Sequence, residues 1–440
     1  MARELDAKQS GEVPGTGVVG RGARDGARLF RDWFERLTTA GERGEQAAYV
    51  FVMGSMCEVL RCFDFHVVFP EINALQTAVR KVSQDYLSTA EDYGYSPDVC
   101  AYVRADVGMQ LRGGSHPMAR IPKPALTVAT NACNTYIKWS EIWTRLYGTP
   151  MFTLDVPDPR SYDHPNKPDK EEFETDRRYV EHQIRELIEL CERITGKRFD
   201  IDRLREAMGH ASVMADCYRR ALAANRAQPA VFNALGDGTI YLGVVNALRG
   251  TPEGSNYFRE LVDELEYKAA HGIGSVEGEQ YRLVFTEVPC YPIFRPFNEL
   301  FTRHGGVFVG SSYLHIASGG ESVGFQYDLK RPIESLAEGT LLSVGYAMDQ
   351  MFYSDRHLLG MVDSLRADAV VYHAVKSCRT GSSGMADSRR LVMEKRDIPC
   401  LYIESDLVDP RVVSQAQLRN RVDAFFENLA SRKLHASLAG

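Results

Sequence analysis

The 440-residue sequence contains nine cysteines, but no two of them are three residues apart. Ferredoxin-type electron carriers hold their iron–sulfur clusters with closely spaced cysteines, often in C-x2-C runs. The cysteine spacing therefore argues against an electron carrier of that type. The chain also lacks a G-x-x-x-x-G-K-[ST] phosphate-binding loop, and no other nucleotide-binding motif is evident. Any ATP that drives its chemistry is expected to be hydrolysed by another chain.

Long apolar runs and an excess of basic charge are also missing. No apolar stretch approaches the ~18 residues that a membrane-spanning helix needs. The N-terminal stretch MARELDAKQSGEVPG has no apolar centre of the kind found in secretory signals. A formal net charge of −7 argues against a nucleic-acid partner. The nine cysteines occur in a sequence without signs of export, which predicts a reducing compartment. In such a compartment clustered thiols often bind metal. We expect a cytoplasmic protein with no membrane or nucleic-acid partner.

Short apolar runs alternate with helical patterns in two parts of the chain, and a purely helical pattern separates them. Alternation of this kind is typical of parallel sheets flanked by helices. We therefore predict an α/β fold with two flavodoxin- or Rossmann-like parallel-sheet domains and a helical middle segment. The expected segments are an N-terminal tail and amphipathic helix at 1–45, a first α/β domain at 46–165, a helical segment at 166–280 and a second α/β domain at 281–440.

A literal G-x-G-x-x-G occurs at Gly15, Gly17 and Gly20. In dinucleotide-binding proteins this motif follows a strand and opens a helix, whereas the preceding SGEVP does not resemble a strand. The motif is therefore interpreted as part of a solvated tail. Residues 26–45 follow it and show the apolar spacing of an amphipathic helix, which is expected to pack on this chain or on a second subunit.

Three cysteines lie where a loop leads into a predicted helix or where a predicted strand ends. Cys100 closes SPDVC, Cys133 closes ATNAC after the apolar run ALTVA, and Cys378 ends DAVVYHAVKSC. Ligands of α/β sheets gather at the carboxyl ends of the strands. Three such thiols predict one cluster with an open position, although each alone is equally compatible with a structural thiol and zinc is an alternative metal. Cys191 and Cys217 fall in helical patterns and are interpreted as small buried side chains.

The segments around these cysteines resemble the family of 2-hydroxyacyl-CoA dehydratases and class I benzoyl-CoA reductases. The similar stretches are GSMCEVLRCFDFHVVFPEINALQTAVRKVSQDYLSTAEDYGYSPDVCAYVR, ATNACNTYIKW, VPCYPIFRPFNELFTRHGGVFVGSSYLHIASGG, HAVKSCR and QAQLRNRVDAFFENL, which together run from about residue 48 to about residue 430. Within the family the chain is most similar to the larger cluster-bearing subunit of the reductases. The resemblance implies one [4Fe-4S] cluster held by Cys100, Cys133 and Cys378, with one iron left open.

The resemblance also implies a function and a set of partners. The chain is expected to be the cluster-bearing subunit of an ATP- and ferredoxin-dependent reductase that converts an aromatic acyl-CoA to a cyclic dienoyl-CoA in anaerobic aromatic degradation. Its implied partners are a homologous smaller cluster-bearing subunit, separate ATP-hydrolysing activator subunits and reduced ferredoxin, in a heterotetrameric complex. A 2-hydroxyacyl-CoA dehydratase subunit is the alternative enzyme, and a non-catalytic iron–sulfur scaffold is the alternative from another class.

Four further residues are candidates for catalytic or substrate-binding roles. Glu58 matches the family's glutamate at the substrate thioester. Alternatively, Glu58 is only a carboxylate in the first turn of a helix, where the helix dipole favours a negative charge. Cys290, in VPCYP, is placed in a loop of the cleft, although a buried packing thiol is the more common state of free cysteine. His315 and His373 are placed in or just before cleft loops. Histidine titrates near neutrality, which suits proton transfer.

Overall fold

The computed structural model describes residues 19–157, 170–352 and 354–439. Ten strands run through these ranges: β1 (Ala47–Val50), β2 (His66–Val68), β3 (Ser115–His116), β4 (Ala119–Arg120), β5 (Pro124–Thr130), β6 (Met151–Leu154), β7 (Tyr281–Thr286), β8 (Gly306–Ser311), β9 (Ala369–Val375) and β10 (Cys400–Ser405). The first sheet has the order β2-β1-β5-β6, and the second has the order β10-β9-β7-β8. β3 and β4 form a small antiparallel hairpin.

Every pairing within the two four-stranded sheets is parallel. Parallel sheets are covered by helices on both faces, so their strands are apolar throughout rather than alternating. β1, β7, β8 and β9 follow this rule, since every residue in them is buried. The predicted fold class, an α/β chain with two parallel-sheet units, is confirmed.

Seventeen α-helices occupy the described ranges: α1 (Arg21–Arg43), α2 (Cys57–Cys62), α3 (Pro70–Val79), α4 (Ser83–Asp92), α5 (Ala101–Leu111), α6 (Asn134–Tyr147), α7 (Lys170–Thr195), α8 (Ile201–Ala223), α9 (Gly236–Ala247), α10 (Pro252–Ala270), α11 (Phe294–Thr302), α12 (Ser312–Ile316), α13 (Pro332–Phe352), α14 (Ser354–Ser364), α15 (Arg379–Ser382), α16 (Met385–Arg396) and α17 (Gln415–Ala439). None of these helices combines the length and apolarity needed to cross a membrane.

Of the four helices between the sheets, α8 packs on α9, α10, α2 and α13, whereas α7 packs on α13 and β6. Cys191 and Cys217 are buried on α7 and α8, which confirms their interpretation as core side chains. The helix α9 contains three glycines, Gly236, Gly238 and Gly243, and a short turn separates it from α10. Its glycines allow close packing, because a Cβ at Gly238 would lie 2.8 Å from Cδ1 of Leu314.

The N-terminal helix α1 begins at Arg21 and packs on α9 and α10. Gly15 and Gly17 lie outside the described residues. The backbone N–H groups of Gly20 and Gly22 both donate to the Glu264 carboxylate, each at 2.6 Å. These two amides are therefore occupied by a side chain of the same chain, and α1 is anchored to α10.

Candidate functional site

The three candidate cluster cysteines each occupy the position just before a helix begins. Cys100 precedes α5, Cys133 precedes α6 and Cys378 precedes α15. Cys133 follows the end of β5, and Cys378 follows the end of β9. All three are free and only partly buried, whereas Cys191 and Cys217 are buried. The structure thus places each thiol at a loop-to-helix junction, as the sequence pattern predicts.

Two of these junctions are joined directly. The N–H of Ala101, next to Cys100, donates to Oγ of Ser377, next to Cys378, at 3.2 Å. The N–H of Ser377 in turn donates to Oδ2 of Asp406 at 3.0 Å. These bonds connect the first sheet unit to the carboxyl ends of β9 and β10 in the second. Cys100 and Cys378 therefore lie at one junction between the two units.

The three thiols influence one another's pKa values. Burial raises the pKa of Cys100 to about 12, and the nearby Cys133 contributes to this rise. Burial also raises the pKa of Cys378, with added contributions from Glu287, Cys100 and Cys133. The main influences on these two pKa values include no basic side chain. Iron–sulfur clusters are held by cysteine thiolates, and metal binding itself deprotonates the thiols, so these three cysteines have the donor type that a cluster requires.

Within the described ranges, no three His, Cys, Asp or Glu side chains converge closely enough to hold a single metal ion. A four-iron cluster is larger than one ion, so its cysteine ligands do not have to meet at one point. The fit of Cys100, Cys133 and Cys378 to a cluster rests on their donor type and on their shared neighbourhood.

A buried carboxylate fixes the two helices that begin at Cys100 and Cys133. Oδ2 of Asp106, on α5, accepts hydrogen bonds from the indole N–H groups of Trp139 and Trp143 on α6, both at 2.7 Å. Charge-assisted bonds of this kind are about twice as strong as neutral ones. Asp106 therefore sets the relative position of α5 and α6. It also sets the relative position of Cys100 and Cys133, which directly precede these helices.

A cavity of about 840 Å³ opens beside this junction. Its walls come from α1, α3, α9 and the loop after β7. Four basic residues line it on the side of its mouth: Arg31, Arg80, Lys81 and Arg295. Glu71, Tyr291 and Tyr313 also line it and are buried. The cavity thus runs from a basic mouth to a polar inner end. An open groove of about 550 Å³ adjoins the mouth and shares Arg31, Arg80 and Met118 with it.

The inner end of the cavity borders the helices of the candidate cluster. Glu71 accepts from Oη of Tyr136 on α6 at 2.6 Å and from the N–H of Val52 at 2.9 Å. Burial raises the pKa of Glu71 to about 7, although both hydrogen bonds oppose this shift. Oη of Tyr313 lies 3.3 Å from Oη of Tyr102 on α5. Tyr136 and Tyr102 are three and two residues beyond Cys133 and Cys100.

Glu71, Tyr291 and Tyr313 are not among the residues that the sequence pattern singles out. Glu71 lies in FPEIN, in the first turn of α3 after β2, and Tyr313 lies in SSYLH, in the first turn of α12 after β8. A polar residue within three positions of the end of a buried parallel strand is the signal that points to them, since ligands of such sheets gather there.

Glu58 lies in the first turn of α2 and is fully buried. Its Oε1 accepts from Nε of Arg249 at 2.7 Å, and Arg249 also pairs with Glu321 and donates to Oη of Tyr327 at 3.1 Å. Glu58 is not among the described residues that line the cavity. These contacts favour the helix-start alternative over a role at the thioester, and that role stays a prediction.

Replacing Glu58 with glutamine is expected to destabilise the protein more than it slows the reaction. The change weakens a charged hydrogen bond to the partly buried Arg249, and such a bond is worth ~1.5–3 kcal/mol. The midpoint of denaturant unfolding should fall, while turnover of the folded protein stays within a few-fold of wild type. The exposed Glu404→Gln variant is the control and should change neither value. A hundredfold loss of turnover at an unchanged midpoint would instead place Glu58 at the substrate.

Of the two candidate histidines, His315 is partly buried on α12 and His373 is fully buried. Nδ1 of His315 lies 2.8 Å from Oγ of Ser322. His373 lies inside β9, where Nδ1 contacts the carbonyl oxygen of Val288 and Nε2 contacts Oγ of Ser405, both at 2.5 Å. Burial lowers the pKa of each imidazole to about 4, so both are neutral near pH 7. Neither lines the described cavity, and their roles in proton transfer stay predictions.

Cys290 is fully buried in the loop after β7. Burial raises the pKa of its thiol to about 11, and a hydrogen bond with Ser405 opposes this shift. The thiol therefore shares Ser405 with His373. This is the environment of a packing thiol, and contact of Cys290 with a substrate stays a prediction.

The family of this chain must account for three features of the structure. These are two parallel-sheet units, a group of three thiols and a deep cavity with a basic mouth. The chain belongs to the family of the 2-hydroxyglutaryl-CoA dehydratase D-component, whose model matches residues 54–429. The predicted resemblance to the dehydratase and reductase family is thereby confirmed.

Individual relatives extend the similarity over most of the chain. One benzoyl-CoA reductase subunit of Thauera aromatica is 34% identical over 417 residues, which cover 92% of this chain and 94% of the relative. The (R)-2-hydroxyisocaproyl-CoA dehydratase alpha subunit of Clostridioides difficile is 27% identical, and the match covers 86% of this chain and 88% of the relative. The (R)-phenyllactyl-CoA dehydratase alpha subunit of Clostridium sporogenes is 26% identical, and the match covers 90% of this chain and 92% of the relative. All three are enzyme subunits by name.

Proposed function

We propose that this chain is the cluster-bearing subunit of an aromatic acyl-CoA reductase that converts benzoyl-CoA, or a substituted benzoyl-CoA, to a cyclic dienoyl-CoA. The observation that carries the proposal is the cavity, whose polar inner end borders the helices beginning at Cys100 and Cys133. The higher identity to the reductase subunit than to the dehydratase subunits favours ring reduction over dehydration.

Cys100, Cys133 and Cys378 would hold one [4Fe-4S] cluster at the junction between the two sheet units. When bound, the cluster supplies the low-potential electrons that an aromatic ring requires, while the protein supplies binding, orientation and electrostatics. The proposed three-thiol ligand set leaves one iron without a cysteine.

The cavity suits a CoA thioester in size and in charge. About 840 Å³ lies within the range of ~300–1,000 Å³ that is typical of small-molecule sites. Arginine and lysine bind phosphate groups well, and Arg31, Arg80, Lys81 and Arg295 stand at the mouth. Apolar side chains such as Phe30, Leu75 and Ile240 line the walls, where the chain and the ring of the substrate would lie.

At the inner end, Tyr313 and Glu71 are the groups placed to act on the acyl portion. Ring reduction shifts negative charge onto the thioester oxygen, and a hydrogen-bond donor aimed at that oxygen stabilises this charge more than it stabilises the substrate. The Tyr313 hydroxyl is such a donor. Glu71, with a pKa of about 7, carries a proton in a sizeable fraction of molecules at neutral pH, which suits a proton donor.

The energy for the reaction is proposed to come from other chains. The sequence has no phosphate loop, so ATP hydrolysis is assigned to separate activator subunits that receive electrons from reduced ferredoxin. A homologous smaller cluster-bearing subunit would complete a heterotetrameric complex. The subunit names of the relatives support a multisubunit enzyme, and we place it in the cytoplasm of an anaerobically growing cell.

The proposal is tested by assembling this chain anaerobically with its smaller homologue and the activator, and by offering benzoyl-CoA and a 2-hydroxyacyl-CoA separately. Ring reduction should yield a cyclic dienoyl-CoA with ATP consumed in proportion to product. The isolated chain should neither bind nor hydrolyse ATP.

Two other outcomes would overturn the assignment. Loss of water from the 2-hydroxyacyl-CoA with only catalytic use of ATP identifies a dehydratase, the second candidate, which the match to the dehydratase family model and alpha subunits favours. A cluster whose spectrum responds to neither thioester identifies a non-catalytic scaffold.

A further inference from the structure

Asn246, on α9, carries a hydrogen-bond acceptor that the described protein leaves unused. The residue lines the cavity and is only 5% exposed. Its Nδ2 donates to the carbonyl oxygens of Leu242, at 3.0 Å, and of Ala317, at 2.9 Å. Since both partners only accept hydrogen bonds, they fix which end of the amide is the nitrogen. Both protons of Nδ2 are thereby used, and Oδ1 has no hydrogen-bond partner within the described part of the chain.

The free oxygen of Asn246 is reached from the cavity. Oδ1 keeps some accessible surface, and because the rest of the residue is enclosed, that surface faces the cavity that it lines. Buried polar groups are normally hydrogen-bonded, and small-molecule sites use a few placed polar groups to fix the orientation of the ligand. An amide oxygen only accepts hydrogen bonds. The ligand group that suits Oδ1 is therefore an N–H or an O–H.

Asn246 lies between the inner end of the cavity and its mouth. Ala317, whose carbonyl oxygen holds Nδ2, is one helical turn beyond Tyr313, and its N–H donates to the carbonyl oxygen of Tyr313 at 2.9 Å. Both residues line the cavity. On the other side, Gly243 is one turn before Asn246 on α9, and a Cβ at Gly243 would be 3.1 Å from Cε2 of Phe30. Phe30 belongs to α1, the helix that forms part of the basic mouth.

A CoA thioester places a suitable donor at this point. In the proposed function the acyl portion lies at Tyr313 and Glu71 and the phosphates lie at the basic mouth, so the arm between them passes Asn246. The first hydrogen-bond donor of that arm beyond the sulfur is an amide N–H, an ethylene link away. We propose that Oδ1 of Asn246 accepts a hydrogen bond from this amide, and that the site thereby selects pantetheine-linked thioesters. The inference rests on the proposed function, since it takes a CoA thioester as the ligand of the cavity.

The bond would position the reacting group as well as bind the arm. The two carbonyl oxygens that hold Nδ2 keep the amide of Asn246 in place before the ligand arrives, so little side-chain freedom is lost on binding. Contacts to non-reacting parts of a substrate orient the reacting part. Fixing the amide N–H fixes the adjacent sulfur, and with it the thioester oxygen near Tyr313. A thioester with oxygen in place of this N–H would set one acceptor against another, which is costly for a buried group.

The test measures binding by calorimetric titration of the assembled complex, kept anaerobic and without ATP or reductant so that no turnover occurs. The probes are benzoyl-CoA and an analogue in which oxygen replaces the N–H nearest to the sulfur. The wild type should bind benzoyl-CoA ~5–100-fold more tightly than the analogue, the range expected when a buried acceptor loses its donor. Asn246→Leu, which has a similar shape and no acceptor, should lose most of this preference.

Two further variants separate recognition from structure. Asn246→Asp loses the amide nitrogen, as Asn246→Leu does, but retains an acceptor oxygen, so it should keep the preference for benzoyl-CoA. Asn298→Leu is the matched control, because Asn298 is another amide that lines the cavity. It lies near Gly236 at the opposite end of α9, ~15 Å along the helix from Asn246, and its variant should keep the wild-type preference.

Equal affinity of the wild type for the two probes would overturn the inference without any variant. An unchanged preference in Asn246→Leu, or the same loss of preference in Asn298→Leu, would overturn it as well. If Asn246→Leu weakened the binding of 3-hydroxybenzoyl-CoA but not that of benzoyl-CoA, the acceptor would serve a ring substituent and the inference would be wrong. A wild-type complex that binds neither probe would refute the proposed function itself, which separates that failure from the failure of this contact.

Discussion

Replacing Cys133 with serine is expected to remove bound iron and to abolish ring reduction. A serine hydroxyl is far less acidic than a thiol and does not supply the thiolate that iron–sulfur clusters require. The same result is expected for Cys100→Ser and Cys378→Ser, since each would remove one of three thiols at the junction of the sheet units. Iron and acid-labile sulfide per chain, measured in anaerobically purified protein, are the direct readouts.

Cys191→Ser and Cys217→Ser are matched controls on α7 and α8 and should keep full iron and sulfide. Both thiols are buried in the helical middle of the chain, away from the loop-to-helix junctions. A Cys133→Ser protein with a full complement of iron would show that the cluster, if present, uses another set of ligands.

Removing the hydroxyl of Tyr313, by replacement with phenylalanine, is expected to lower turnover ~10²–10³-fold, as loss of one well-aimed donor typically does. The ring of the side chain and its packing are retained, so KM and cluster content should change little. The reason is that the hydroxyl interacts most strongly when charge develops on the thioester oxygen, and only weakly with the neutral substrate. Single-turnover kinetics of dienoyl-CoA formation provide the measurement.

Tyr327→Phe is the control for this experiment. Tyr327 is a tyrosine whose hydroxyl accepts from Arg249 in the ion-pair network of Glu58, and it does not line the described cavity. Its variant should keep turnover within a few-fold of wild type. Equal and small effects in both variants would show that Tyr313 is a structural residue of the cavity wall.

The features that the sequence predicts correctly are local. Buried parallel strands such as β5 and β9 are continuous apolar runs of a few residues, which can be recognised without knowing their neighbours. The junctions at Cys100 and Cys133 are predictable because a polar turn precedes a helical pattern on the same stretch of chain. The parallel pairing follows from the alternation of strands and helices.

The features that the sequence does not reveal depend on contacts between distant parts of the chain. Glu58 and Arg249 are 191 residues apart, so the ion pair that occupies Glu58 has no local signature. The cavity combines residues of α1, α3, α9 and the loop after β7, and none of these segments is diagnostic alone. The glycines of α9 accommodate side chains of α1 and α12, and these contacts between distant segments have no local signature either.

The helix α1 has a consequence for how such enzymes diversify. It contributes Ala27, Phe30 and Arg31 to the cavity and its mouth, yet it lies outside the part of the chain that the family model covers, which begins at residue 54. The inner end, with Glu71 and Tyr313, lies inside that part. Substitutions in α1 can therefore change the entrance of the cavity without changing the residues at its inner end, so the two ends can vary independently.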